Sequence, residues 1–283
     1  MAERSTTNGG LRVRTIGEGK GVPVLLVHGF TGSAEGWGEG ILEGLADRRQ
    51  VLAVDLPGHG ESAGDRDPER FTMDRVVADL VAVLEDRGFE KADWVGYSMG
   101  GRIAVAAAVS HPERIQRLVL ESASPGLRAE DARARRRRQD DLLARRIEAQ
   151  GIEAFVDYWM AQPLFATQRR LPPAVLGDSR RRRLRNDPLA LAHVLRGMGT
   201  GSQPSYWASL PKIEIPTLLL TGQLDPRYTR NAQEMAALLP DARHVVVPDA
   251  GHTVHLELPR AWLRVVTDFL PPLEPEAEAE VAG

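Results

Sequence analysis

The sequence predicts a doubly wound α/β fold: a mostly parallel sheet with helices on both faces and an inserted helical cap. Three observations predict it. Short apolar runs alternate with helix-period patterns through both ends of the chain. That alternation stops between about residues 124 and 209. A serine boxed by glycines, Gly96-Tyr97-Ser98-Met99-Gly100, stands where one such run hands over to a helical pattern.

The elements follow in order. "VPVLLVHG" (22–29), "VLAVDLPG" (51–58), "ADWVGYS" (92–98) and "RLVLESA" (117–123) are continuous apolar runs ending in turn residues, as buried parallel strands do. "TLLLTG" (217–222) and "RHVVVPDAG" (243–251) repeat the type. Between them, residues 73–88 place Val76, Val77, Leu80, Val83 and Leu84 on one helical face and end at Gly88. "MGGRIAVAAAVS" is a small-residue helix able to lie close to a sheet, stopping near His111-Pro112. "NAQEMAALLP" (231–240) and "PRAWLRVVTDFL" (259–270) complete the helices. The chain then divides into a core from residues 1–123 and 210–270, a cap over 124–209, and an acidic tail, 271–283, with too little to bury and expected to be disordered.

Composition excludes several classes. A formal net charge of −3 offers no attraction to nucleic acid or anionic membrane. There is no cysteine, hence no disulfide and no thiolate metal site. No cluster of metal-ligand type is visible, and no cofactor is expected. The opening "MAERSTTNGG" lacks a signal peptide's apolar core and no run approaches the ~20 apolar residues of a membrane span, so a cytoplasmic protein acting on a small molecule is expected. Oligomeric state stays open. Only three of the 36 basic residues are lysines, so an arginine carries meaning here by position, not by number.

The glycine-flanked Ser98 is a nucleophile elbow: glycines allow the tight turn that lifts the hydroxyl above the sheet. Its partners should follow in the order acid, histidine. Asp225 in "LLLTGQLDP" and His252 in "VPDAGHTVH" do so, each just beyond a strand, where such sheets carry their chemistry. Read separately, Asp225 could be a turn cap before Pro226 and His252 a loop residue; order and register together favour the triad. His255 is expected to pack toward the closing helix and Asp249 to form a turn. "HGFTGS" (28–33) supplies the other half of an anion site, through the backbone N–H of Phe30 paired with that of Met99. His28 and His59 read as structural loop residues.

With these residues assembled, the core resembles an α/β-hydrolase over roughly residues 22–270. "GYSMGGRIA", "ESASPGLR", "GIEAFVDYWMAQPLFATQ" and "LRGMGTGSQPSYW" narrow the resemblance to a menaquinone-pathway lyase family, the 2-succinyl-6-hydroxy-2,4-cyclohexadiene-1-carboxylate synthases. The resemblance implies elimination of pyruvate from 2-succinyl-5-enolpyruvyl-6-hydroxy-3-cyclohexene-1-carboxylate, with the Ser-His-Asp set as a base and no acyl-enzyme. Such a substrate carries three carboxylates, which planar guanidinium groups pair with bidentately.

Arg102, one helical turn beyond the elbow, is the first expected clamp. By match to the family pattern, Arg136 and Arg185 are the others. The register of Arg136 in "RARRRRQDD" is fixed only to one or two residues, and a solvated face paired with Asp140 and Asp141 competes. Tyr97 is a candidate donor to a carboxylate or, alternatively, core packing under the cap; Trp159 and Phe165 are candidates for the cap's apolar wall. The glycine-rich "GMGTGSQPS" (197–205) follows no strand and lacks a phosphate-binding lysine. Two rival readings remain: a serine hydrolase of carboxylated esters or thioesters, and a ligand-binding scaffold with a vestigial triad.

Overall fold

The computed structural model describes residues 3–270 apart from 9, 20, 48 and 65, with the side chains of 3–8 also outside the description. The acidic tail expected to be disordered lies outside the described residues.

Among the described residues eight strands form one sheet: β1 (Glu3–Asn8), β2 (Leu11–Ile16), β3 (Val24–Val27), β4 (Val51–Asp55), β5 (Ala92–Tyr97), β6 (Ile115–Glu121), β7 (Thr217–Gly222) and β8 (Ala242–Val247). Their spatial order is β1-β2-β4-β3-β5-β6-β7-β8. Pairs from β4 onward are parallel, whereas β1 with β2 and β2 with β4 are antiparallel. The sequence reading found the parallel strands and missed the antiparallel pair. In β2, "LRVRTI" mixes two arginines into the apolar run, because this strand lies towards the sheet's edge and is only partly covered.

Nine helices accompany the sheet among the described residues: α1 (Glu39–Leu45), α2 (Met73–Glu85), α3 (Met99–Ser110), α4 (Glu130–Met160), α5 (Pro173–Arg183), α6 (Pro188–Met198), α7 (Pro226–Ala236), α8 (Val254–Glu257) and α9 (Pro259–Phe269). Alternate strand residues divide the core, as the two-residue period of a strand demands. Leu25 and Val27 of β3 join α2, α3 and α7 on one face. Val24 and Leu26 join α1 and α9 on the other. The side chains of β3 and β4 lie buried on both faces, which explains why these strands read as unbroken apolar runs.

Between β6 and β7 the described chain is helical and has a small core of its own, in which Ala144, Ile147 and Phe155 of α4 meet Leu191, Ala192 and Leu195 of α6. α4 breaks at Gly151, which takes φ 77° and ψ 179°. The break lets its second half, with Phe155 and Trp159, turn towards Phe30 of the loop after β3. No helix of the described residues is long and apolar enough to cross a membrane.

Candidate active site

β3 and β5 are neighbours at the middle of the sheet, so the loops leaving their C-terminal ends lie side by side. Ser98 follows β5 at φ 51° and ψ −105°, a left-handed conformation that costs a non-glycine residue energy. Its amide donates to the Glu121 carbonyl of β6 at 2.8 Å, which helps hold the turn. The turn also needs bare backbone beside it: a Cβ at Gly100 would run into the Val27 carbonyl, and one at Gly96 into the Gly100 carbonyl. Met99 opens α3, whose first amides have no acceptor within the helix. Among the described residues neither the Met99 nor the Phe30 amide meets an acceptor, and both residues line the cavity above Ser98.

Asp225 ends the turn after β7, and His252 lies on the loop between β8 and α8. His252 Nε2 is 3.0 Å from Ser98 Oγ, and its Nδ1 is 2.7 Å from Asp225 Oδ2. The other oxygen, Oδ1, accepts the Tyr228 amide at 3.3 Å, so Asp225 caps α7 and orients the imidazole at once. His252 and Asp225 are buried, and the imidazole is boxed by the rings of Tyr228, Tyr97 and Phe165 at 4.6, 5.5 and 6.1 Å. A proton can pass from the serine hydroxyl to the imidazole, with the carboxylate stabilising the resulting cation.

A cavity of about 190 Å³ opens above Ser98. It is lined by Phe30, Met99, Trp159, Phe165 and Met198, among others, and by three arginines, Arg102, Arg136 and Arg227. Among the described residues no aspartate or glutamate lines it. Arg102 is buried; its Nη1 donates to the Met198 carbonyl at 2.8 Å and to Gln203 Oε1 at 3.0 Å, which aims the fork. Burial, with the charge of Arg136 acting in the same direction, lowers its pKa to about 10, so it stays cationic at neutral pH. Of the arginine run, Arg136 is the member that lines the cavity. Its Nε also donates to buried Asp140 at 2.7 Å, so the i,i+4 pairing expected of a surface face is present and serves to orient the side chain.

Two expected contacts fall elsewhere. Arg185 is half exposed and paired with Glu35 at the surface, away from the cavity. Arg183, two residues earlier, points inward instead. Its Nη1 donates to Thr31 Oγ1 and its guanidinium carbon is 5.9 Å from the Phe165 ring centre. It lines a second cavity of about 40 Å³, separated from the first by Phe30 and Tyr97, which line both. Burial lowers the Arg183 pKa. Tyr97 lines the main cavity, yet its hydroxyl is 2.7 Å from Thr253 Oγ1 rather than free for a ligand. Arg183, Arg227 and Tyr228 were missed by sequence reasoning; the first is one arginine in a run, and the others sit in a helix start whose facing is not a local property.

The remaining histidines do not touch Ser98. His28 Nδ1 meets the Gly29 carbonyl at 2.8 Å while its Nε2 accepts the Leu56 amide at 3.1 Å, which defines a neutral ring. His59 is fully buried beside it, with Nδ1 2.9 Å from the Pro57 carbonyl. His255 is buried against Glu121, 2.9 Å from Oε2. Asp249 takes φ 60° in its turn and does not contact His252, whose Nδ1 is on Asp225.

A serine–histidine–aspartate chain at the C-terminal ends of β5, β7 and β8, under a helical cap, defines an enzyme of the α/β-hydrolase class. The family model described as "alpha/beta hydrolase fold" matches residues 22–259. An Escherichia coli (O1:K1 / APEC) 2-succinyl-6-hydroxy-2,4-cyclohexadiene-1-carboxylate synthase is 35% identical over 256 residues, 88% of this chain and 94% of that protein. A Bacillus subtilis (strain 168) protein given the same name provisionally is 40% identical over 267 residues, 94% of this chain and 97% of that one. The solved structure of MenH from S. aureus superposes with a TM-score of 0.86 at 33% identity, covering 91% of this chain and 97% of that one. The chain therefore belongs to the 2-succinyl-6-hydroxy-2,4-cyclohexadiene-1-carboxylate synthase family within the α/β-hydrolase fold.

Proposed function

We propose that this enzyme is a carbon–oxygen lyase that eliminates pyruvate from 2-succinyl-5-enolpyruvyl-6-hydroxy-3-cyclohexene-1-carboxylate, giving 2-succinyl-6-hydroxy-2,4-cyclohexadiene-1-carboxylate for menaquinone synthesis. The observation that carries this reading is a Ser98–His252–Asp225 hydrogen-bond chain opening into a cavity lined by arginines and, among the described residues, by no carboxylate. A neutral ester gives no use for that charge; a tricarboxylate does.

In this reading Ser98 Oγ, its own proton drawn to His252 Nε2, takes a proton from the ring. The C–H electron pair becomes part of the new diene, and the bond from ring carbon to enolpyruvyl oxygen breaks. Pyruvate leaves as its enolate, which takes up a proton. The Phe30 and Met99 amides hold the negative charge that develops across the conjugated system. Arg102 and Arg136 hold substrate carboxylates, and Arg183 takes the part that the sequence pattern assigned to Arg185. Trp159 and Phe165 supply the apolar wall that keeps water from these contacts.

The test follows pyruvate release and diene absorbance together with the purified protein and the enolpyruvyl substrate. Equal rates of both, lost in Ser98→Ala, are expected. A burst of product from an activated neutral ester, with no pyruvate from the cyclohexene, would replace this reading with acyl transfer.

A further inference from the structure

We propose that Glu257 is a positioning residue for His252, its carboxylate receiving the backbone amides on both sides of that histidine. The inference rests on the reading that His252 serves Ser98. The Gly251 amide donates to Glu257 Oε2 at 2.8 Å and the Thr253 amide to Oε1 at 3.3 Å. The Glu257 amide in turn donates to the Thr253 carbonyl at 2.9 Å, closing residues 251–257 on themselves.

These backbone bonds add to the anchoring of the Thr253 side chain, whose Oγ1 is 2.7 Å from the Tyr97 hydroxyl and accepts from Gln168 Nε2 at 2.9 Å. Upstream, the loop is tied to the sheet end by Leu224 N–H to the Ala250 carbonyl at 2.8 Å and Gln223 N–H to the Val247 carbonyl at 2.9 Å. Beyond Ala250 the strand pairing has ended, and α8 is a single turn too short to stand alone. Glu257 therefore holds the His252–Thr253 peptide that adjoins the His252 Cα and the Ala250–Gly251 peptide one residue before it. The imidazole has to satisfy two partners at once, Asp225 at 2.7 Å and Ser98 at 3.0 Å, so a small rotation of either peptide is felt at Nε2. A Cβ at residue 251 would collide with Thr167 Oγ1, so cap and carboxylate together confine the loop.

A carboxylate suits this place because it offers two acceptors and no donor. Glu257→Gln leaves one of the two amides facing an NH₂ group; Glu257→Ala leaves both without the acceptor. Glu257 is only partly buried, which favours a folded variant.

The experiment measures the rate at which a fluorophosphonate labels Ser98 in the full chain, beside kcat and KM for pyruvate release and the melting temperature. The phosphonate probes the serine–histidine geometry without using the lyase substrate. Expected are labelling in the wild type that His252→Ala abolishes, and a roughly tenfold fall in both labelling rate and kcat for Glu257→Gln, with KM within about twofold. Labelling and kcat within about twofold of wild type, whatever the melting temperature does, overturn the inference. So does a wild type inert to the phosphonate, which takes the triad reading with it; a labelled protein that releases no pyruvate removes only the lyase assignment.

Discussion

Arg102 answers a question that its position in the sequence raises: why a cation stands one turn beyond a nucleophile. Its Nη1 is held by Met198 and Gln203, so the side chain is aimed before any ligand arrives, and little of its flexibility remains to be lost on binding. One charged hydrogen bond contributes roughly 1.5–3 kcal/mol, so Arg102→Ala should lower kcat/KM for the tricarboxylate by about 10–100-fold. Hydrolysis of a neutral ester, if any is measurable, should change little. The same assay separates Arg183, the last residue of α5, from Arg185 in the turn just beyond it. Arg183→Ala should cost a similar factor, while Arg185→Ala, which breaks only a half-exposed pair with Glu35, should stay within about threefold of wild type. Equal losses in these two variants would count against the inward placement of Arg183.

Among the elements, the junction of β5 and α3 has the tightest tolerance. Gly100 lies where the helix start passes the Val27 carbonyl, and no side chain fits between them. Gly100→Ala should cost on the order of 1–3 kcal/mol by urea denaturation, as overpacking does, and should slow Ser98 chemistry because the elbow has to move. An unchanged unfolding midpoint would contradict so close an approach. The cap shows the opposite design. Its helices have a modest core of their own, and a network of ion pairs covers the outer face of α4, including Arg135 with Asp131 and Arg145 with Asp141. Such exposed pairs add little stability each, so the arginine run is mostly solvated surface with one member, Arg136, turned to the cavity.

At the scale of the molecule, the buried histidines tie stability to pH. Burial lowers the pKa of His28 to about 4, against an ordinary 6.5, and burial with the neighbouring His28 lowers that of His59 well below 6.5. Both rings stay neutral in the folded protein while the unfolded chain takes up their protons. The contribution of these rings is therefore complete above about pH 6.5 and is lost as the pH falls, for His28 towards 4 at about 1.4 kcal/mol per pH unit. Buried Asp55 and Asp93 act in the opposite direction, since burial raises their pKa values. The informative measurement is thus a difference: the slope of unfolding free energy against pH below 6.5 should be shallower in His59→Asn than in the wild type. An unchanged slope would show that His59 is protonated alike in both states.

Much of this protein is local information. A buried strand announces itself by consecutive apolar residues, and a turn by its glycines. β3 to β7 were therefore legible, as were the elbow at Ser98 and the order of Asp225 and His252; β8 was found by its valine run, but it is an edge strand with only Val247 buried rather than the buried strand expected. The antiparallel β1 and β2 were not, because strands at the sheet's margin carry polar residues that do not separate them from loops. Nor was the choice between Arg183 and Arg185, since α5 ends at Arg183 and the course of the turn beyond it depends on what the cap packs against. Arg227 and Glu257 likewise gained their places only when α7 and α8 docked beside the histidine loop. The sequence alone determined which elements form and where the reacting groups lie along the chain; the tertiary structure decided which charged side chains face inward, because facing depends on contacts between residues far apart in the chain.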